Sequence, residues 1–303
     1  LFFLCRWGEY LQLDFPLRTI ISTGYNKPMY RIGAHVSIAG GHIKGIDRAL
    51  EIGCNAVQIF CASPRGWNFA KIPDSDADAF SKYAIKQDVT PIYFHASYLI
   101  NLADTGRIGT LSKQLLTHEL KIASAMGVRG SIVHLGSYKD NGKNHKHLCD
   151  HISMILEKTP SDVEFIIENA GNRKIGKDIE EIAEIIEEVK DKRLKVCLDT
   201  CHLHAAGYDL STEKSYEDFI TVFDEKIGLE RLSVWHLNDS RDPFGSLRDR
   251  HDNLGEGLVG MDVFKHLLNH PKTKHIPVIL EVPGFKGEGP DKQNVDIVKS
   301  LIV

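Results

Sequence analysis

Imidazole and carboxylate side chains are concentrated in two short stretches near the end of the chain. In residues 235–241 (WHLNDSR), His236 follows an apolar run and Asp239 stands three positions later. A short loop then leads to a second pair, Asp249 and His251. Donors of this kind bind Zn²⁺, Mn²⁺ or Fe, and an Asp and a His separated by one residue can chelate a single ion. The two stretches therefore predict metal chemistry.

Metal-capable side chains also end six successive apolar runs of the chain. These residues are His95, His134, Glu168, Asp199, His236 and Glu281. The loops add three more, His202, Asp249 and His251. Four carboxylates buried together would repel one another strongly, and cations remove that cost. Nine ligands are too many for one ion, so the pattern predicts two or three.

The elements that must position these residues repeat regularly from residue 30 onward. Short β-branched runs are expected at 31–36, 56–60, 91–95, 130–134, 164–168, 194–199, 232–236 and 277–281. Helical stretches are expected at 41–53, 74–88, 109–127, 145–158, 177–190, 212–227, 260–270 and 290–302. Eight strand-helix units in this length are typical of an α/β fold of the (β/α)8 TIM barrel type, and a doubly wound open sheet is the alternative. In a barrel, the ends of the strands meet at one mouth.

The chain divides into two regions by composition. Residues 1–29 precede the first convincing strand, and we expect them to form an N-terminal extension that is poorly ordered or non-native. Residues 30–303 are expected to form a single barrel that carries the chemistry. His147 and His151 stand one helical turn apart in this region and are interpreted as a solvated helix face, because no Glu follows His147 as it does in zinc proteases.

Charge and composition limit the classes of partner. The formal net charge of −4 argues against a generally basic nucleic-acid binder. Three divalent ions would bring that charge to about +2, concentrated at one site, so a polyanionic substrate is not excluded. No apolar run approaches the length of a membrane helix, which predicts no membrane partner. The six cysteines show no CxxC pair, which favours reduced thiols and a cytoplasmic protein.

Several motifs resemble those of the endonuclease IV family of zinc-dependent apurinic/apyrimidinic (AP) endonucleases. Residues 95–103 (HASYLINLA) resemble one family signature, residues 196–202 (VCLDTCH) a second, and residues 235–257 a third. Residues 33–37 (GAHVS) and the strand end at 281–283 (EVP) also fit. The departures from the family pattern, at Lys195, Arg241 and the loop 171–176, leave every proposed ligand in place.

The resemblance implies a cluster of three zinc ions. His95, His134 and a bridging Glu168 would hold the first ion. The second would be held by Glu168, Asp199, His236 and Glu281, and the third by His202, Asp249 and His251. Glu168 and Glu281 are the expected catalytic carboxylates, His35 and Asn238 the residues that orient ligands, and Mn²⁺ an alternative to Zn²⁺ at one carboxylate-rich position.

The implied reaction is DNA repair by hydrolysis of the phosphodiester 5′ to an abasic site in double-stranded DNA. It would leave a 3′-hydroxyl and a 5′-deoxyribose phosphate. Arg65, Tyr98 and Leu99 are the expected contacts with the lesion, because apolar side chains can fill the gap left by a missing base. Phosphate contacts are expected among Lys139, Lys143, Arg173, Arg241 and Arg248. We expect a monomer that acts in the cytoplasm, at the nucleoid of a bacterium, or in the nucleus or mitochondrion of a eukaryote.

Two other functions are compatible with parts of the pattern. A metal-dependent sugar isomerase or epimerase also gathers His, Asp and Glu at the ends of barrel strands. It needs one or two ions, and has no use for Asp249 and His251 together with His202. A non-catalytic binder of DNA lesions would not require nine ligands that generate hydroxide.

Overall fold

A computed structural model describes residues 30–138 and 144–303 of the chain. The predicted extension 1–29 and the candidate phosphate contacts Lys139 and Lys143 lie outside the described residues. The strands are β1 (Ile32–His35), β2 (Ala56–Phe60), β3 (Ile92–His95), β4 (Gly130–Val133), β5 (Glu164–Glu168), β6 (Leu194–Asp199), β7 (Leu232–His236), β8 (Asp239–Ser240), β9 (His251–Asp252) and β10 (Val278–Leu280).

Strands β1 to β7 and β10 form a closed parallel barrel within this part of the chain. Each strand pairs with the next, and β1 closes the ring by pairing with both β2 and β10. Closure rules out the doubly wound open sheet, and the predicted TIM barrel is confirmed. Strands β8 and β9 form a separate antiparallel ribbon, which the sequence pattern did not predict.

Helices follow the strands, and most of them lie on the outer side of the barrel. They are α1 (His42–Glu51), α2 (Asp74–Lys86), α3 (Arg107–Met126), α4 (His145–Glu157), α5 (Ile179–Val189), α6 (Thr200–Ala206), α7 (Glu213–Lys226), α8 (Met261–Asn269) and α9 (Lys292–Leu301), with a 3-10 turn at Leu229–Arg231. Helix α5 shows why they pack: Ile179, Ile182, Ile185 and Ile186 are buried on one side. Helix α6 was not predicted. Among the described residues, no helix has the length and apolar character needed to cross a membrane.

The inside of the barrel is filled by one apolar residue from each of seven strands. These residues are Ala56, Tyr93, Ile132, Ile166, Cys197, Val234 and Ile279. The Tyr93 hydroxyl reaches across the barrel and donates a hydrogen bond to the Ser233 carbonyl at 3.0 Å. At the matching position of β1, a Cβ on Gly33 would lie 2.7 Å from the backbone carbonyl of Ala56, which cannot move aside, so only glycine fits there. This layer forms the floor beneath the mouth of the barrel.

Candidate metal centre

The mouth of the barrel is lined by one polar residue from each strand. Side chains alternate along a strand, so the residue two positions after each floor residue also faces inward. These residues are His35, Gln58, His95, His134, Glu168, Asp199, His236 and Glu281. Seven of them are sequence-predicted site residues. The eighth, Gln58, was missed because an amide is a poor metal ligand, although its place two residues after Ala56 marks the same position.

Glu168 lies at the centre of this layer and is fully buried. Its Oε2 is 3.1 Å from Nε2 of His95 and 3.2 Å from Nε2 of His134. Its Oε1 is 3.0 Å from Nδ1 of His236 and 3.4 Å from Nδ1 of His202. The two oxygens therefore face different groups of imidazoles, as a bridging ligand requires.

Backbone carbonyls orient three of the imidazoles. Nδ1 of His95 lies 2.9 Å from the Ala96 carbonyl, and Nδ1 of His202 lies 2.9 Å from the Asn169 carbonyl. Nδ1 of His251 lies 3.3 Å from the backbone carbonyl of residue 281. A carbonyl can only accept, so Nδ1 carries the proton in each ring and Nε2 faces the carboxylates. Metal-ligating histidines are held by hydrogen bonds of this kind.

Helix α6 begins immediately at the end of β6 and fixes Asp199 and His202 together. The Asp199 carboxylate caps the helix by accepting a hydrogen bond from the His202 amide at 3.0 Å. The Asn238 side chain donates to Oδ2 of Asp199 at 2.7 Å and accepts from the Glu281 amide at 2.8 Å. Asn238 thus connects the ends of three strands, and its orienting role toward a metal ligand stays a prediction.

The ribbon of β8 and β9 brings Asp249 and His251 over the mouth. Ser240 pairs with His251 in this ribbon. In its loop, the Arg250 guanidinium binds the Asp242 carboxylate through two nitrogens, at 2.5 and 2.7 Å, and lowers the pKa of that carboxyl. The result is that Oδ1 of Asp249 lies 2.9 Å from Nε2 of His202.

A second carboxylate holds the far side of the ribbon. Asp239, which is fully buried, accepts hydrogen bonds from the amides of Gly255, Gly257 and Val259 at 2.9 to 3.2 Å. A Cβ on Gly257 would collide with Oδ1 of Asp239, which explains the glycine there. Asp239 is therefore used in folding the loop, not in lining the mouth.

The carboxylates of the mouth are kept ionised by the imidazoles around them. Burial alone would raise the pKa of Glu168, but the charge of His236 and hydrogen bonds with His236 and His95 hold it well below its ordinary value. The pKa of Glu281 is affected in the same way, mainly by His236 and by a hydrogen bond with His35. Both carboxylates are consequently available as anionic ligands at neutral pH.

The pKa of each imidazole depends on its burial and on the charges of its neighbours. Burial opposes protonation of His202, but the charges of Asp199 and Asp249 raise its pKa to about 10. His134 has fewer carboxylates nearby, and burial lowers its pKa to about 4. Imidazolium protons thus balance the carboxylate charge, and a divalent cation between the same atoms would take over that balance and release the protons.

The nine predicted ligands fall into three groups that could each hold an ion, and a fourth group, Asp199, Cys201 and His251, shares two of these ligands. The three groups are His95, His134 and Glu168; Glu168, Asp199, His236 and Glu281; and His202, Asp249 and His251. In each group the ligand atoms lie within 4.8 Å of one another. Nε2 of His202 and of His251 are buried without a hydrogen-bond partner, although Asp249 lies 2.9 and 3.5 Å away. Ligand atoms that lie this close together, but are not aligned for a hydrogen bond, are placed as the ligands of one shared cation would be.

The mouth opens into a cavity of about 350 Å³ that His35 and Tyr98 also line. Nδ1 of His35 lies 3.3 Å from Oε1 of Glu281, so His35 contacts a proposed ligand. Tyr98 is 66% exposed on the rim and its ring packs against Phe60, with centroids 5.6 Å apart. Leu99 beside it is 37% exposed.

The basic residues proposed as DNA contacts lie on the surface around the mouth. Arg65 and Arg173 are exposed. Arg241 lies 3.6 Å from the Asp252 carboxylate, and Arg248 lies 3.6 Å from that of Asp242. Two of these arginines are therefore partly neutralised by acidic neighbours, and a phosphate would have to compete with those carboxylates.

Comparison with known proteins agrees with the barrel fold. Residues 46–301 match the family model described as xylose isomerase-like TIM barrel. The probable endonuclease 4 of Halothermothrix orenii is 38% identical over 275 residues, covering 89% of this chain and 99% of that protein. The crystal structure of endonuclease IV from Thermus thermophilus superposes with a TM-score of 0.80 at 32% identity, covering 89% and 98%. D-psicose 3-epimerase from Clostridium cellulolyticum, at 16% identity and a TM-score of 0.62, covering 89% and 95%, shares the fold alone.

Proposed function

Because this chain belongs to the endonuclease IV family, we propose that it is a DNA-repair AP endonuclease that cuts the phosphodiester 5′ to an abasic site. The observation that carries the proposal is the convergence of nine imidazoles and carboxylates in three groups at one mouth. A sugar epimerase needs one or two ions, and the group formed by His202, Asp249 and His251 would be superfluous to it.

The three groups of donors are the proposed ligands of three Zn²⁺ ions. Mn²⁺ is an alternative at the position of Glu168, Asp199, His236 and Glu281, where carboxylates predominate. When bound, such cations supply Lewis acidity, which acidifies a water molecule and offsets the charge that develops on the phosphate oxygens. This division of ligands is supported by the distances within each group and by the buried Nε2 atoms of His202 and His251, which make no aligned hydrogen bond.

The protein itself keeps the carboxylates of the mouth ionised before DNA binds. Glu168 and Glu281 stay ionised and are the proposed catalytic carboxylates. Glu168, buried among the imidazoles, would hold the ions in place, and Glu281, which lines the cavity, can accept a hydrogen bond from the attacking water and orient its lone pair toward phosphorus. Hydrolysis by in-line attack of water needs no covalent intermediate. It leaves a 3′-hydroxyl and a 5′-deoxyribose phosphate.

Recognition of the lesion is proposed for the exposed side chains on the rim. Tyr98 presents an aromatic face to solvent while Phe60 supports it from below, so it can enter the gap in a base stack without unfolding the loop. Leu99 and Arg65 stand beside it. An abasic nucleotide is cheap to extrude because it has no base to unpair. We expect the protein to act on double-stranded DNA as a monomer in the cytoplasm.

The test uses a duplex with a single tetrahydrofuran abasic analogue, which a lyase cannot cleave. The zinc-loaded full chain should nick the strand 5′ to the analogue and leave an end that a DNA polymerase extends, which shows a 3′-hydroxyl. Glu168→Gln should not nick, whereas Glu157→Gln, an exposed residue at the end of α4, should nick normally. Binding without nicking would support a lesion binder instead, and indifference to the duplex would support an isomerase.

A further inference from the structure

Three metal-capable side chains meet on the outside of the barrel, where α4 packs beside α5. His145 and Cys149 stand one turn apart on α4, and Glu188 lies near the end of α5. Sγ of Cys149 is 3.5 Å from Nε2 of His145, and Oε2 of Glu188 is 3.5 Å from the same nitrogen. The three ligand atoms lie within 4.8 Å of one another. None of these residues belongs to the mouth.

Hydrogen bonding accounts for only part of this arrangement. Nε2 of His145 carries at most one proton, so it can only share that proton between the Cys149 sulfur and the Glu188 carboxylate, in two long hydrogen bonds. A cation satisfies both. With Zn–S about 2.3 Å and Zn–N about 2.0 Å, tetrahedral geometry places the sulfur and the nitrogen about 3.5 Å apart. The observed separation has that value.

We propose that His145, Cys149 and Glu188 form an auxiliary site for a borderline-soft divalent cation such as Zn²⁺, which cross-links α4 to α5. Imidazole, thiolate and carboxylate together select this class of ion over Mg²⁺ or Ca²⁺. The side chains of His145 and Glu188 are 23% and 43% exposed, so the ion can enter from solvent and keep a water molecule as its fourth ligand.

The surroundings of the site favour a cation. The surface depression beside His145 is lined by four glutamates of α5, Glu180, Glu184, Glu187 and Glu188, and by two lysines. Lys226 pairs with Glu180 and Lys190 with Glu187, which leaves the charges of Glu184 and Glu188 to attract a cation. Burial, together with the charges of Glu188 and Asp150, raises the pKa of the Cys149 thiol to about 12. Cys149 therefore enters as a thiol, and its proton passes to solvent as the metal–sulfur bond forms.

A thiolate ligand gives this site a spectroscopic signature, because the nine proposed ligands of the mouth include no cysteine. Co²⁺, a spectroscopic substitute for Zn²⁺, is titrated into the chelator-stripped full chain while thiolate-to-metal charge-transfer absorption is recorded in the near ultraviolet. The wild-type protein should develop a band whose final intensity corresponds to one thiolate-bound Co²⁺ per chain. Cys149→Ser should abolish the band, and His145→Gln should weaken the affinity of that ion at least tenfold.

Cys201→Ser is the matched control, because Cys201 is equally buried and also lies near a His and an Asp. This variant should keep the band. A wild-type protein without the band, or a band that persists in Cys149→Ser, overturns the proposal. If circular dichroism shows that Cys149→Ser does not fold, the partly exposed His145→Gln decides, and an unchanged affinity in that variant overturns the proposal equally. The result is independent of DNA cleavage.

Discussion

Gln58→Ala should weaken metal binding at the mouth although Gln58 is not a proposed ligand. Its amide nitrogen donates to Oε1 of Glu281 at 2.5 Å, and its Oε1 lies 2.7 Å from Nε2 of His236. An ionised carboxylate can only accept, so the amide NH₂ must face Glu281 and its oxygen must face His236. Nε2 of His236 therefore carries a proton whether or not the ring is charged. Nδ1, 3.0 Å from Glu168, is then the nitrogen that would give up its proton to a metal ion.

The size of the effect follows from these two contacts. Hydrogen bonds to charged groups contribute about 1.5–3 kcal/mol each, and loss of a residue that orients ligands typically costs about 10- to 100-fold in metal affinity. We expect Gln58→Ala to lose about 1.4–2.7 kcal/mol at the position held by His236 and Glu281. Zinc affinity is measured by competition with a chromophoric chelator. The matched control is Gln114→Ala on the exposed side of α3, which should bind zinc like the wild type.

The variant also leaves a void in the barrel, so its unfolding free energy is measured separately without zinc. A uniform loss of stability with zinc affinity within about twofold of the wild type would refute the reasoning, because the orienting role would then be absent. A fall in affinity shared by Gln114→Ala would refute it as well.

Prolonged chelation should abolish nicking and added zinc should restore it, whereas activity that survives chelation would contradict a metal mechanism. His251→Ala should reduce kcat/KM by more than about 100-fold at saturating zinc, and near-normal turnover would remove it from the ligand set. Tyr98→Ala should weaken lesion binding by about 1–3 kcal/mol with unchanged metal content, and an unchanged Kd would exclude it from recognition. Burial raises the pKa of Glu119 from 4.5 to about 7, so the folded state binds the extra proton and stability falls as pH rises from 4.5 to 7. Glu119→Gln should therefore gain up to about 3 kcal/mol over the wild type at pH 8 and little at pH 4.5, and denaturant curves with equal differences at both pH values would contradict this.

The barrel and most of the mouth could be predicted because both follow from local patterns. Strands alternate their side chains, so an apolar run that ends in His, Asp or Glu places that residue inside the mouth once the barrel closes. His95 and His236 follow this rule directly. Their roles as ligands stay predictions.

The contacts that depend on distant parts of the chain could not be predicted. Helix α6 was missed because it has only seven residues, too few to show a helical period, and because its N-cap, Asp199, is also the last residue of a predicted strand. The ribbon of β8 and β9 depends on the pairing of Asp242 with Arg250, which no local pattern reveals. The solvated interpretation was wrong for His151, which is buried with its Nδ1 3.0 Å from the Leu102 carbonyl. Helical spacing alone does not show that a loop covers that face.

The most direct test of the account is the location of bound zinc. Anomalous diffraction at the zinc absorption edge, from crystals of the zinc-loaded protein, should show three peaks at the mouth, each surrounded by one of the three groups of donors. Glu168 should lie between two of the peaks. An empty mouth, or peaks that the imidazoles and carboxylates do not contact, would contradict the proposed metal centre.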